Sequence, residues 1–258
     1  MSETALRKDS QDGEEAVEPK TLVEAAYHRL RKDIIEGNLK PGEKLRVEHL
    51  KNHYDVGAGT LREALQLLMT DALVVAQGQR GFNVAPISLS DFEDITRTRV
   101  LIECEALRQS IARGTDEWEG AVMAAFHRLS RAEERLDWKV GSSREEWEAR
   151  NKTFHEVLIS ACPSRWIRHF QQLLYRQSER YRRISMHTSP IPRDVHAEHV
   201  KLCEASVARD ADRACAVLTE HIIRTLDAIR TLPPSLIEGD PAKLAKVART
   251  RARVLETE

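Results

Sequence analysis

Aromatic residues make up only 5% of this 258-residue chain. No apolar run approaches the ~20 residues that a membrane-spanning helix requires, so an integral membrane protein of the helical kind is excluded. The four cysteines, Cys104, Cys162, Cys203 and Cys215, include no Cys-x-x-Cys pair. That spacing suggests neither a disulfide framework nor a thiolate zinc site, and it fits a reduced, cytoplasmic compartment. A charge imbalance is also lacking: the formal net charge is −1, and residues 21–86 carry nine Lys/Arg against eight Asp/Glu. Any attraction to a polyanion must therefore come from local placement of charge. Residues 1–20 hold six acidic and three basic side chains and no apolar h-region, which predicts a disordered acidic tail rather than a signal peptide or anchor.

What is present is a helical pattern. Hydrophobic residues are 41% and charged residues 31% of the chain, the composition of helices with charged outer faces, and the length suits two small domains. Thr21 is placed to cap a first helix in which Leu22, Ala25, Ala26, Leu30 and Ile34 recur at helical spacing, until Gly37 and Pro41-Gly42 stop it. A second helix is expected over 46–53. Gly57 and Gly59 form a turn, and a third helix starts at Gly59 or Thr60 and runs to about Thr70, with Leu61, Ala64, Leu65 and Leu68 inward. Helix, helix, glycine-bearing turn, helix is the helix-turn-helix plan. Two β-prone runs, 73–76 and 82–85, flank Gly78-Gln79-Arg80-Gly81 and predict a two-stranded wing that Pro86 closes.

From Ser88 the pattern changes to long amphipathic helices, expected over 90–113, 116–140, 143–162, 164–185, 192–208 and 210–231, with no strand signal. The expected fold class is mostly α: an N-terminal winged helix-turn-helix (21–86) plus a C-terminal all-α six-helix antiparallel bundle (87–232). Pro233-Pro234 ends the bundle. A basic tail over 233–258, with Lys243, Lys246, Arg249, Arg251 and Arg253, reads first as a solvated helix and second as a further DNA contact.

The series Tyr27-x-x-Leu30-Arg31-x-x-Ile34-x-x-Gly37-x-Leu39-x-Pro41-Gly42-x-x-Leu45, then Val56, then Leu61-Arg62-Glu63-Ala64-Leu65, then Arg80-Gly81-Phe82-x-Val84 resembles the winged helix of GntR-family transcription regulators. In such a head the N-terminal end of the recognition helix enters the major groove. Arg62, one turn in, is the foremost DNA-contact candidate, with a surface pairing to Glu63 or Gln66 as its alternative. Gly57 and Thr60 offer backbone and short side chains to the DNA; Arg46 and Arg80 are candidates for phosphate or minor-groove contact; Gly81 permits the tight wing turn. Members commonly carry an Arg between the Val and the Arg-Glu-Ala-Leu run, where this chain has Ala58 and Gly59. A familiar contact is thus missing.

In the bundle, Asn151-x-x-x-His155 and His196-x-x-His199 place pairs of polar side chains on single helical faces, and His221 lies on the last helix. By spacing alone these read first as histidines scattered over core and surface, and only second as a ligand set. Together with Phe154-His155 and Glu198-His199, however, the arrangement resembles the metal-holding branch of the effector domain of the FadR subfamily. The resemblance implies a divalent ion, zinc or nickel, on Asn151, His155, His199 and His221; imidazole suits both metals. Asn151 stands where many relatives have Asp, so the ion would keep more positive charge and favour an anionic effector. Arg99, four residues before Glu103, matches a family pattern and is placed either to clamp a carboxylate or to pair with Glu103. His196, Tyr181 and Arg182 are further pocket candidates.

The resemblance implies a homodimeric regulator that binds a short palindromic DNA operator, most simply as the repressor of a catabolic operon, released by a small carboxylate. The turn 57–60 and the run 62–65 look like those of carbon-starvation regulators of the family, which implies glutarate or a related dicarboxylate. The alternative function is a metal-dependent enzyme built on the histidine cluster, although no His-Glu-x-x-His arrangement offers the general base it needs.

Overall fold

The structure, a computed structural model, describes residues 19–77, 81–188, 193–233 and 237. The expected acidic tail up to residue 18, the wing tip with Arg80, and the basic tail from 238 onward lie outside the described residues.

Helix α1 (Leu22–Glu36) begins where the Thr21 hydroxyl accepts the Glu24 amide at 3.1 Å and stops at Gly37, whose φ of 81° needs a residue without a Cβ. Strand β1 (Lys44–Leu45) precedes α2 (Val47–Tyr54). Helix α3 (Ala58–Thr70) starts one to two residues before the expected point. Its first turn holds Gly59, where an amide has no helical partner to lose, and the Leu61 amide already reaches the Gly57 carbonyl at 3.0 Å. Ala26, Leu30, Ile34, Leu45, Tyr54, Leu61, Leu65 and Leu68 close one apolar core among these elements.

The expected two-stranded wing is a three-stranded antiparallel sheet, order β1-β3-β2, with β2 at Val74–Ala76 and β3 at Phe82–Val84. Lys44 pairs with Asn83 and Leu45 with Phe82. β1 escaped sequence reading because two residues after Pro41-Gly42 carry no alternation; a partner some forty residues away makes them a strand.

After Pro86 come α4 (Leu89–Arg113), α5 (Asp116–Glu134), α6 (Gly141–Leu158), α7 (Arg165–Thr188), α8 (Val195–Val207) and α9 (Ala211–Arg230). α4 packs on α7 and α9, α5 on α6 and α8, and α8 on α9. Val122, Leu129, Phe154, Leu158, Leu202, Leu218 and Ile222 lie in their shared core. α5 ends six residues short of the expected Val140. Ser143 explains it, taking the Asp137 amide at 3.0 Å and donating to the Arg135 carbonyl at 3.3 Å, which gives the chain a turn in place of helical bonds. Trp138 then tilts against Trp147, ring centroids 5.9 Å apart. At Gly114 a Cβ would meet the Trp118 ring at 2.4 Å, so only glycine admits this close approach between α4 and α5.

α7 also grips the N-terminal unit. Asp71, just past the end of α3, receives Arg176 at 2.7 Å, and Gln177 donates to the Asp71 carbonyl. Tyr27 of α1 donates to the same Asp71 carboxylate; burial and this carboxylate push the phenol up to about 12. Arg31 pairs with Glu179 at 3.1 Å, and the buried Arg180 donates to the linker carbonyl of Ala85 at 2.7 Å.

Candidate functional site

The candidate reading face of the N-terminal unit is an outer surface. Gly57 and Arg62 are exposed and Thr60 is half-buried at the start of α3; Arg46, exposed, caps α2 beside it. Among the described residues no hydrogen bond joins Arg62 to Glu63 or Gln66, the alternative weighed for it. Gly81 enters β3 with φ 99°, a left-handed conformation that glycine adopts without strain.

The histidine cluster is interior. His155 of α6, His199 of α8 and His221 of α9 offer ring nitrogens that all lie within 4.8 Å of one another. Three helices meet to make this grouping, so no single sequence segment contains it. Their exposures are 4%, 0% and 8%, and burial away from water, with neighbouring positive charge second, holds His155 and His221 well below the ordinary histidine pKa. Neutral imidazole is the ligating form.

Carboxylates behind the rings decide which nitrogen points inward. His199 donates from Nδ1 to Glu133 at 2.7 Å, and His221 donates from Nδ1 to Glu198 at 2.8 Å. Each Nε2 thereby points away from its carboxylate, and the Nε2 of His199 is buried with no partner. Asn151 lies one turn before His155; its amide donates to the Tyr175 hydroxyl at 2.9 Å, while its Oδ1 is buried and unpartnered. Three imidazoles and an orphaned amide oxygen fit the donor set for a divalent ion. Burial works against ionisation of Glu133, but hydrogen bonds from His199 and then His196 outweigh it and keep its carboxyl below the usual range.

Arg99 and Arg182 come together beside this cluster. Arg99 pairs with Glu103 at 2.7 Å and donates to Ser178 at 2.7 Å; Arg182 pairs with Glu148 and donates to the same Ser178 at 3.3 Å. Both guanidinium groups sit against the Tyr175 ring, at 5.6 and 4.6 Å from its centroid. The pairing of Arg99 with Glu103, held open in the sequence, is made, yet inside the protein rather than on its surface. His196 is half exposed and hands its Nδ1 to Glu133 at 2.7 Å. Tyr181 lies elsewhere: stacked on Phe92 at 4.4 Å, its hydroxyl donates to Asp91 at 2.9 Å and meets Ser88 in the linker.

A cavity of about 230 Å³ adjoins the cluster, lined by Trp138, Trp147, Arg182, Arg193, His196 and Thr225 among others. Arg193 was not singled out from sequence. It donates to Thr225 at 3.1 Å and to the His221 carbonyl at 3.4 Å, and its Nε, like that of Arg182, is buried without a partner. Glu133 and Glu198 were missed as well. Glu198 sits in the Glu198-His199 pair already noticed, but it supports His221 on another helix, which spacing does not reveal.

The comparisons with known proteins follow this anatomy. Residues 22–84 match "Bacterial regulatory proteins, gntR family", and residues 94–224 match "FCD domain". This chain belongs to the GntR family, with an FCD domain. It is 47% identical over 212 residues to the "Uncharacterized HTH-type transcriptional regulator BphR" of Paraburkholderia xenovorans (strain LB400), covering 82% of this chain and 86% of that protein. It is 34% identical over 214 residues to the "HTH-type transcriptional repressor GlaR" of Escherichia coli (strain K12), covering 79% and 94%. E. coli McbR/YncC shares the fold with a TM-score of 0.67 at 17% identity, covering 81% of this chain and 97% of that one. A putative GntR regulator from Rhodococcus sp. RHA1 does so at 0.65 and 20%, covering 82% and 98%. The GntR protein is thus a DNA-binding transcription regulator and not an enzyme, of a kind that binds operators and small-molecule effectors. Among the described residues no helix is long and apolar enough to cross a membrane.

Proposed function

We propose that this GntR protein is a cytoplasmic repressor of a catabolic operon, released from its operator by a small carboxylate, with glutarate or a related dicarboxylate the leading class. The observation that carries this reading is α7. One face presents Tyr175, Ser178 and Arg182 to the histidine site, and the other presents Arg176, Gln177, Glu179 and Arg180 to α1, α3 and the linker. An effector that draws Arg182 away from Glu148 biases a helix already bonded to the base of the recognition helix. That is a differential contact able to couple two sites.

In this reading residues 21–86 form the DNA-binding domain, with Arg46, Gly57, Thr60, Arg62, Arg80 and Gly81 at the operator. Residues 87–232 form the effector and dimerisation domain. Asn151, His155, His199 and His221 would hold zinc or nickel, and the bound ion would supply an open coordination position for a carboxylate oxygen. Arg182 and Arg193, each with an unpartnered Nε, supply charge for a second carboxylate, which supports a two-ended acid. The cavity is smaller than the roughly 300–1,000 Å³ of drug-sized sites and suits a small acid. Repression is supported by the printed name of the GlaR relative. A homodimer is supported by apolar side chains left outside on the packed helices α4 and α7, Leu101 at 72%, Trp166 at 58% and Phe170 at 46% exposure.

The test is fluorescence anisotropy of the metal-replete protein on its own upstream DNA and on a scrambled duplex at one stated salt, followed by titration with glutarate and with a monocarboxylate. Preference for the upstream DNA, lost on adding glutarate, is expected. Equal binding to both duplexes refutes the operator; binding unmoved by any carboxylate refutes the effector.

A further inference from the structure

α4 and α9 pack along one another, and Cys104 in the middle of α4 comes face to face with Cys215 in the second turn of α9. The Cys215 thiol donates to the Cys104 carbonyl at 3.4 Å, and the Cys104 thiol contacts the Cys215 carbonyl at 3.6 Å. Thr219, one turn beyond Cys215, brings its hydroxyl to 3.4 Å from the Cys104 sulfur. Cys215 is buried, whereas Cys104 keeps partial access to solvent. Residues 104 and 215 are far apart in the chain, so the pairing is invisible to motif search.

The two sulfurs are chemically unequal. The neighbouring Cys215 thiol holds the Cys104 thiol below the ordinary range; burial and Glu103 oppose this, while Thr219 and Arg108 assist. The same contact pushes Cys215 up and keeps it a protonated donor. Cys203 provides the internal contrast, since burial, with the charge of Glu204 second, raises it to about 11. A low, accessible thiolate beside a second thiol is the arrangement of a redox-responsive pair, and in a reducing compartment disulfides are mostly of this transient kind.

We propose that Cys104 and Cys215 form a peroxide-reactive dithiol, with Cys104 the attacking sulfur and Cys215 the resolving one. In the first step the Cys104 thiolate attacks one oxygen of hydrogen peroxide. An S–O bond forms as the O–O bond breaks, and the departing hydroxide takes a proton to become water. In the second step the Cys215 sulfur attacks the Cys104 sulfenic acid. The S–S bond forms as the S–O bond breaks, and the thiol proton leaves with that hydroxyl as a second water. Two thiols are oxidised by two electrons and one peroxide is reduced to two waters. The product staples α4, which carries Arg99 and Glu103, to α9, which carries His221. Redox state thereby enters the effector domain by a route that needs neither metal nor carboxylate.

The experiment treats the full chain with equimolar hydrogen peroxide, alkylates remaining thiols, and maps non-reduced peptides by mass spectrometry. A linked Cys104–Cys215 peptide pair that disappears on adding dithiothreitol is expected. In C215S, dimedone is expected to capture a sulfenic acid on Cys104. In C104S, peroxide consumption at pH 7 is expected to slow at least about 10-fold, because an ordinary thiol is only a few per cent thiolate there. Recovery of both cysteines reduced, over-oxidation of Cys104 without linkage, or a linkage of other cysteines overturns the proposal. The wild-type map stands even where a variant fails to fold, and circular dichroism of C104S beside C104A tells a lost nucleophile from a lost structure.

Discussion

The two halves of this GntR protein solve recognition in opposite ways. The N-terminal unit keeps an apolar interior and puts its proposed reading residues, Arg46, Gly57 and Arg62, outside in water. The FCD half buries its polar machinery: His155, His199, His221, Asn151, Arg99, Arg182, Glu103 and Glu148 are all under 9% exposed. DNA is a large, charged surface that must be met from outside, so long-range attraction and an exposed Arg fork suffice. A small acid is caught by a few atoms, and each counts for more once water is excluded. Burial carries an obligation, because every polar atom needs a partner. The FCD half meets most of it with Glu133, Glu198, Ser178 and Tyr175, and the atoms left over, Asn151 Oδ1 and His199 Nε2 among them, lie at the proposed ligand site.

Mutations should separate the halves. The largest effect is expected for His199→Ala, which removes an inward nitrogen and leaves Glu133 half unpaired. Metal measured by plasma mass spectrometry should fall from stoichiometric to background, by more than the roughly 10–100-fold that a supporting residue costs. Chelation of the wild type should lower its melting temperature and leave that of His199→Ala unmoved; equal shifts in both would place the ion elsewhere. Next comes Arg62→Ala, with about 1–3 kcal/mol lost from operator affinity, unchanged metal content, and folding stability within about 0.5 kcal/mol. A stability loss beyond that would make Arg62 structural and erase the contrast.

Glu198→Gln keeps the shape but weakens the acceptor for His221. Metal affinity by competition titration should drop about 10-fold or more, with the apo protein still folded by circular dichroism. The smallest effect is expected for Glu179→Gln, which touches neither site. It loosens Arg31 and Arg183 at the seam between the halves. Operator affinity and effector affinity measured separately should hold, while the factor by which effector weakens DNA binding should change by about 0.5–2 kcal/mol of coupling. An unchanged factor would remove the Arg31–Glu179 pair from the coupling route.

Much of the fold was open to reading because its determinants are local. Thr21 caps the helix it precedes, Gly37 stops α1, and the 3.6-residue apolar rhythm marks every long helix. Errors fell where a distant partner decides: β1 exists because β3 lies beside it, and α5 ends at Glu134 because Ser143 competes for the next backbone groups. The site divides in the same way. His155, His199, His221 and Arg99 could be nominated through family resemblance, and Arg182 as a further pocket candidate on the fourth helix of the bundle. Arg193, Glu133, Tyr175 and Ser178 could not, since an isolated Arg, Glu, Tyr or Ser on a helix has no spacing that tells a buried partner from a solvated one. Tyr181 illustrates the reverse case: adjacent to Arg182, it turns about 100° round α7 and stacks on Phe92 under the linker.

By itself the sequence determined the helices, the order of reading head before bundle, and the residue types able to ligate or to contact DNA, because caps, breakers and periodicity act within a few residues. Tertiary structure decided which nitrogens converge, which carboxylate orients each ring, that α7 touches both the site and the base of α3, and that Cys104 meets Cys215. Those facts depend on how helices cross, and crossing is set by the packing of whole surfaces.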